Sequence, residues 1–268
     1  MPRSGIYIVP PYQDRPSARL TRRSVVQPAT RFHPQDRNLS PEVHFPLQTV
    51  FAPDRPPYPR FINRFDSREM LLVVDGSCIN NGRHASADRD PVAGCSFLFK
   101  ATPSLALDRP ASPVTFPFLA TQKLEREGPD GVVSEHTSNR AKLRAVIAAL
   151  QFRPWDAEGW RRVVILTDLE YIVNGATLWL PKWVKRRWRK PRAGGGGKYL
   201  NRDLWEELQA RIDELRARGC EVSFWLVKRD DERESEFIEL AKKAAQRAAR
   251  AEPGVQVEKF TKLCGIML

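Results

Sequence analysis

Two apolar runs in this 268-residue chain end in an aspartate. Met70-Leu71-Leu72-Val73-Val74 leads into Asp75, and Val163-Val164-Ile165-Leu166 leads through Thr167 into Asp168. A short uninterrupted apolar run bounded by turn residues reads as a buried strand. Ligand sites of α/β folds collect beyond such strand ends. A single aspartate there is ordinarily a turn former or a helix cap. Two of them, in a chain of net charge +12, point to a divalent cation handling phosphates, because carboxylate oxygens suit Mg2+. The cysteines (Cys78, Cys95, Cys220, Cys264) and histidines (His33, His44, His84, His136) fall in no zinc-ligand or disulfide spacing.

The elements that must position these aspartates follow from pattern. Strands are expected at 70–74, at 92–101, and at 113–119, where two prolines interrupt the pattern. The stretch 139–152 carries Leu143, Val146, Ile147 and Leu150 at helical period, with Ser138 or Asn139 as candidate caps. A strand at 163–166 precedes a helical stretch over 170–188, broken near Pro181. Glycines at 194–197 form a loop, then a helix spans 203–218, a strand 221–227 and a long helix 232–250. The chain divides into a Pro/Arg-rich arm over 1–65, a domain over 66–252 and a tail over 253–268. Twelve of the 22 prolines and ten arginines against four acids stand before residue 66, so the arm is expected to be disordered and basic, with a targeting or docking segment as alternatives.

Five segments in order then carry a resemblance. They are Asp75-Gly76-Ser77-Cys78-x-x-Asn81-Gly82, Thr137-Ser138-Asn139-Arg140-Ala141-x-Leu143-x-Ala145, Val164-Ile165-Leu166-Thr167-Asp168-x-Glu170-Tyr171, Lys198-x-x-Asn201-Arg202-Asp203-Leu204-Trp205 and Glu239-Leu240-Ala241. Together the region resembles type 1 members of the ribonuclease H family, in phrasing closest to fungal ones. The resemblance implies an α/β fold with a mixed five-stranded sheet flanked by helices. It implies cleavage of the RNA strand of RNA–DNA hybrids by two metal ions about 4 Å apart. It places the metal-binding carboxylates at Asp75, 142, Asp168 and 238.

Two of those four positions have changed. Position 142 is Lys and position 238 is Ile, and Asp230 stands where the family carries a histidine. Lys142 is expected to project its ammonium toward Asp75 and Asp168, competing with Mg2+ or simply pairing with both. Ile238 supplies no ligand. Glu234, one helical turn before it, is the candidate rescue ligand, with Glu135, Glu170 and Asp230 as further neighbours. Hydrolysis is therefore expected to be absent or weak, with Asp75 and Asp168 as remnants.

The binding side is better kept. Pro181 to Arg192 (PKWVKRRWRKPR) holds seven Lys/Arg and no acid, with Trp183 and Trp188 interleaved. Basic side chains track phosphates. By resemblance, Lys182, Trp183, Lys185, Arg186, Arg187, Trp188 and Arg189 form a protrusion that grips nucleic acid, the bland alternative being a solvated basic face with inward tryptophans. Gly76, Ser77, Asn81, Thr137, Asn139 and Arg140 correspond to the family's substrate-facing turn residues, Asn81 and Asn139 to those that meet RNA 2′-hydroxyls. Three functions stand side by side: an impaired hybrid- or duplex-binding pseudoenzyme, an active Mg2+-dependent endonuclease with rearranged ligands, and a protein-interaction scaffold. No apolar run is long enough for a membrane helix. The cysteine pattern fits an intracellular setting, nucleus and mitochondrion both open.

Overall fold

The computed structural model describes residues 7–8, 26–52, 55–81, 90–100, 119–190, 197, 199–227, 235–251 and 257–262. Their strands are β1 (Tyr7–Ile8), β2 (Thr30–Arg31), β3 (Leu47–Ala52), β4 (Arg55–Phe61), β5 (Glu69–Ile79), β6 (Val92–Leu98), β7 (Leu119–Lys123), β8 (Arg162–Thr167) and β9 (Glu221–Leu226). The helices are α1 (Pro41–His44), α2 (Ser138–Gln151), α3 (Glu170–Asn174), α4 (Leu180–Lys185), α5 (Arg202–Ala217) and α6 (Glu236–Arg250), with a π-helical turn, Gly175–Trp179, joining α3 to α4.

The main sheet runs β2-β9-β8-β5-β6-β7. β5 is antiparallel to β6 and parallel to β8, so the sheet is mixed, as the family resemblance implies. Four of its strands are the expected ones, β7 meets the expected third strand only at Leu119, and the sixth, β2, comes from the N-terminal stretch and pairs in parallel with β9. The third strand starts at Leu119, and the rest of the stretch where it was expected lies outside the described residues. Side-chain alternation sorts the core into two layers. Leu72, Val74, Val163 and Ile165 face Leu143, Val146, Ile147 and Leu150 of α2 and Trp205, Leu208 and Ile212 of α5. Leu71, Val73, Val164 and Leu166 face Phe237, Ile238 and Ala241 of α6.

The expected boundary at residue 65 moves. Residues 26–52 and 55–62 are built into the domain: Phe32, Phe45 and Phe61 join the α6 layer, and Val50 and Ile62 join the other. The prolines there sit where they cost little. Pro41 opens α1 behind the Ser40 cap, and Pro56, Pro57 and Pro59 lie on β4, an edge strand of the sheet β1-β3-β4. Arg60 is buried and bonds Glu158 through two guanidinium nitrogens, at 3.0 and 2.7 Å. Residues 257–262, expected as part of a separate tail, also pack on the domain. Arg144 Nη2 donates to the Thr261 carbonyl at 2.9 Å, and its guanidinium lies 4.4 Å from the Phe260 ring centre.

Candidate functional site

The sheet register sets the two aspartates side by side. Val73 is paired with Leu166, and two residues further along these parallel strands stand Asp75 and Asp168. α2 crosses above them. Its cap is Thr137, one residue earlier than expected, whose side chain accepts from the Arg140 N–H at 3.1 Å. The helix can come this close because Gly76 has no side chain. A Cβ there would lie 2.3 Å from the Lys142 nitrogen and 2.4 Å from the Ala141 carbonyl carbon.

That approach delivers Lys142 to the aspartates. Its ammonium donates to Asp168 Oδ1 and lies 2.5 Å from Asp75 Oδ1. The same ammonium thus pairs with both carboxylates. The Lys142, Asp75 and Asp168 side chains are 7%, 3% and 5% exposed. Burial pushes the Asp75 carboxyl above its ordinary value, and the Lys142 charge offsets this only in part.

Ile238 is buried among Leu71, Val73, Phe61 and Phe237 and brings no oxygen to the cluster. The residues present do not fit a Mg2+ ion: an ammonium bridges the two aspartates, and Ile238 is apolar. Among the described residues, no three His, Cys, Asp or Glu side chains are grouped to hold a metal. Glu234 and Asp230 lie outside the described residues. Glu135 and Glu170 are exposed, the latter accepting from Asn174 Nδ2 at 3.2 Å.

A carboxylate that sequence reasoning missed sits at the start of α6. Glu42 of α1 accepts from Ser235 Oγ at 2.6 Å and from the Phe237 N–H at 3.2 Å. There it complements the positive end of the helix. Only its place within the proline-rich stretch was visible in the sequence, and that gave no sign of this contact.

The expected binding residues separate into two groups. Asn81 and Asn139 are exposed and Ser77 is half-buried, whereas Gly76 lies under α2. Arg140 is not free for a ligand: it is buried and bonds Asp203 at 3.0 and 2.6 Å, tying the start of α2 to the start of α5.

The basic segment grows from the strand end that carries Asp168, through α3 and the π-helical turn into α4. The chain does not break at Pro181. The wider π turn takes up the residue that cannot donate, with Leu180 N–H bonding Gly175 O instead. After α4, Arg187 and Trp188 take left-handed conformations (φ 52° and 59°), and Trp188 N–H returns to Trp183 O at 2.8 Å. This reversal turns both tryptophans inward, correcting their assignment as ligand-facing. Trp188 is buried, and Trp183 is packed among Trp179, Trp188, Tyr199 and Trp205, with ring centres 4.9–6.0 Å apart. Lys182, Lys185, Arg186, Arg187 and Arg189 point to solvent as a face of one sign.

The described residues thus form a mixed α/β fold, a sheet covered by helices on both faces with aspartates at adjacent strand ends. Residues 115–223 match the family model described as RNase H. The chain is 40% identical over 78 residues to a ribonuclease H of Cyanothece sp., covering 29% of this chain and 46% of that protein. It is 35% identical over 128 residues to a ribonuclease H of Anaeromyxobacter sp. (strain K), covering 48% and 61%. The chain thus spans about half to three fifths of the length of these relatives. Among solved structures it is similar to LC9-RNase H1, a type 1 RNase H with the type 2 active-site motif. That likeness is at 26% identity and a TM-score of 0.43, over 67% of this chain and 72% of that one. Over residues 115–223 the chain is thus similar to the ribonuclease H family.

Proposed function

We propose that this protein binds RNA–DNA hybrid, or a duplex of similar shape, and does not cleave it efficiently. The observation that carries this is Lys142, whose ammonium stands between Asp75 and Asp168 where the family places a third carboxylate. The three side chains sum to one negative charge, too little to hold two divalent ions close together. Ile238 adds an apolar side chain where a fourth carboxylate belongs. The surface that would meet the ligand is kept: five exposed cations around α4 for phosphates, with Asn81 and Asn139 exposed for 2′-hydroxyls.

The test is a labelled RNA–DNA hybrid incubated with the full chain and Mg2+ or Mn2+, beside a Lys142→Glu/Ile238→Asp double variant. The parent should bind in a salt-sensitive manner and leave the RNA intact, and the double variant should cleave. Cleavage by the parent that disappears in Asp75→Asn would refute the proposal. A parent that binds neither hybrid nor duplex would remove the binding half of it.

A further inference from the structure

The π-helical turn leaves one buried carbonyl that its own helix does not serve. Leu180 N–H bonds Gly175 O, five residues back. By the same spacing the next donor, at position 181, would serve Ala176 O, but Pro181 has no N–H. Ala176 is fully buried, so water does not reach this carbonyl, and a buried carbonyl without a partner is costly. Its partner comes from the N-terminal part of the chain: Ala29 N–H donates to Ala176 O at 3.2 Å.

The contact is one of a set. Arg31 Nη2 donates to Asn174 Oδ1 of α3 at 3.0 Å. Thr30 and Ser223 hydroxyls are 2.6 Å apart, and Phe32 N–H donates to Phe224 O at 2.8 Å, fixing the segment along β9. From α5, Gln209 reaches Gln27 O at 3.1 Å and Arg216 reaches Pro28 O at 2.9 Å. Residues 27–32 therefore bridge β9, α5 and the α3–π–α4 unit. α4 has six residues, too few to hold a helix or a direction alone.

We infer that residues 27–32 are a strap that positions the basic face of α4 for nucleic acid, through the carbonyl that Pro181 leaves open. Its consequence for binding rests on the function proposed above. Its consequence for α4 does not. Ala29 and Arg31 act through α4 and need not touch the ligand. The pairing also predicts a rescue: an alanine at 181 supplies an N–H within the helix and makes α4 less dependent on the strap.

The experiment uses the full chain in four forms: parent, Ala29→Pro, Pro181→Ala and the double variant, with Arg31→Ala as a milder lesion should Ala29→Pro fold poorly. Amide hydrogen exchange is read over 182–187 and, as a control, over α2 and β5. Hybrid affinity and its salt slope are measured in parallel. Ala29→Pro should speed exchange in α4 by roughly tenfold, the loss of about one hydrogen bond, with α2 and β5 unchanged. It should also weaken hybrid binding and flatten the salt slope, and Pro181→Ala should restore part of both. Arg31→Ala should shift the same amides by a smaller factor. Unchanged α4 exchange in both strap variants, or faster exchange that spreads equally to α2 and β5 and is not rescued, would overturn the inference. If the parent binds no hybrid, the functional proposal falls while the exchange data still decide the strap.

Discussion

Replacing Lys142 by methionine keeps much of the side chain's length and apolar stem while removing its charge. Asp75 and Asp168, 3% and 5% exposed, would then face each other without the cation between them. Removing one partner of a buried ion pair costs about 3–5 kcal/mol, because the remaining charge stays desolvated. Against a total stability of roughly 5–15 kcal/mol this is a large fraction. For a domain of this size, each kcal/mol lowers Tm by about 2–4 °C, so a fall of roughly 6–20 °C is expected at pH 7. The sign of the pH dependence follows from Asp75. Its folded pKa is already raised by burial, and without Lys142 only the hydrogen bond from the Gly76 backbone still offsets it, while Asp168 raises it further. A raised carboxyl pKa gives stability that is full below the unfolded value, near 3.8, and lost as pH rises through the folded value. The variant's deficit should therefore shrink as pH falls from 7 toward 5. Urea unfolding of parent and variant at both pH values measures this. A variant within about 0.5 kcal/mol of the parent at pH 7, or a deficit that grows on acidification, would refute the view of Lys142 as a resident counter-ion.

Other outcomes follow from the same geometry. Gly76→Ala pushes a Cβ into the α2 backbone and should cost about 1–3 kcal/mol or more by thermal unfolding, since backbone cannot yield as a side-chain end can. Changing Lys182, Lys185, Arg186, Arg187 and Arg189 together to Gln should leave circular dichroism unchanged and lower the slope of log K against log salt by up to about 4–5. Trp183→Ala should instead lower Tm, by about 3–5 kcal/mol of lost core packing, and affect affinity only through the displaced helix. Burial raises the Glu158 pKa, but Arg60, with Arg153 and Trp160, outweighs it and holds the carboxyl below its ordinary value of 4.5. Glu158 thus contributes stability that is present above that value and lost as pH falls through the folded one. Glu158→Gln should destabilise the neutral protein and blunt its loss of stability in acid, as read by denaturant titration.

The sequence carried the sheet and its site because their signals are local. Met70–Val74 and Val163–Leu166 are apolar without interruption, and an aspartate ends each, so strand, direction and site came together. Position 142 falls on the α2 face that meets the strand end, and its contact with both aspartates was expected from the family resemblance, which sets a carboxylate there, and not from helical phase. Within the expected arm, residues 26–52 and 55–62 were misread because their prolines were counted rather than placed. Pro41 begins a helix and Pro56, Pro57 and Pro59 occupy an edge strand, positions that tolerate a missing N–H. The better signal was the apolar set Phe32, Phe45, Phe61 and Ile62, too rich for a solvated arm. Trp183, Trp188 and Arg140 failed for a different reason. Their partners, Tyr199, Trp205 and Asp203, lie up to 63 residues away, and residue type does not say whether a ring or guanidinium meets a ligand or its own protein.

The pairings of Thr30 with Ser223 and Glu42 with Ser235 each span 193 residues of chain. A ribosome adding about 5–20 residues per second releases the first members of these pairs roughly 10–40 s before the second. During that interval Phe32, Phe45 and Phe61 have no α6 layer to enter. The prolines of this stretch then serve the nascent chain as much as the finished one. They keep an apolar stretch from pairing into extended aggregates while it waits, and they cost the folded domain little at a helix start and a sheet edge.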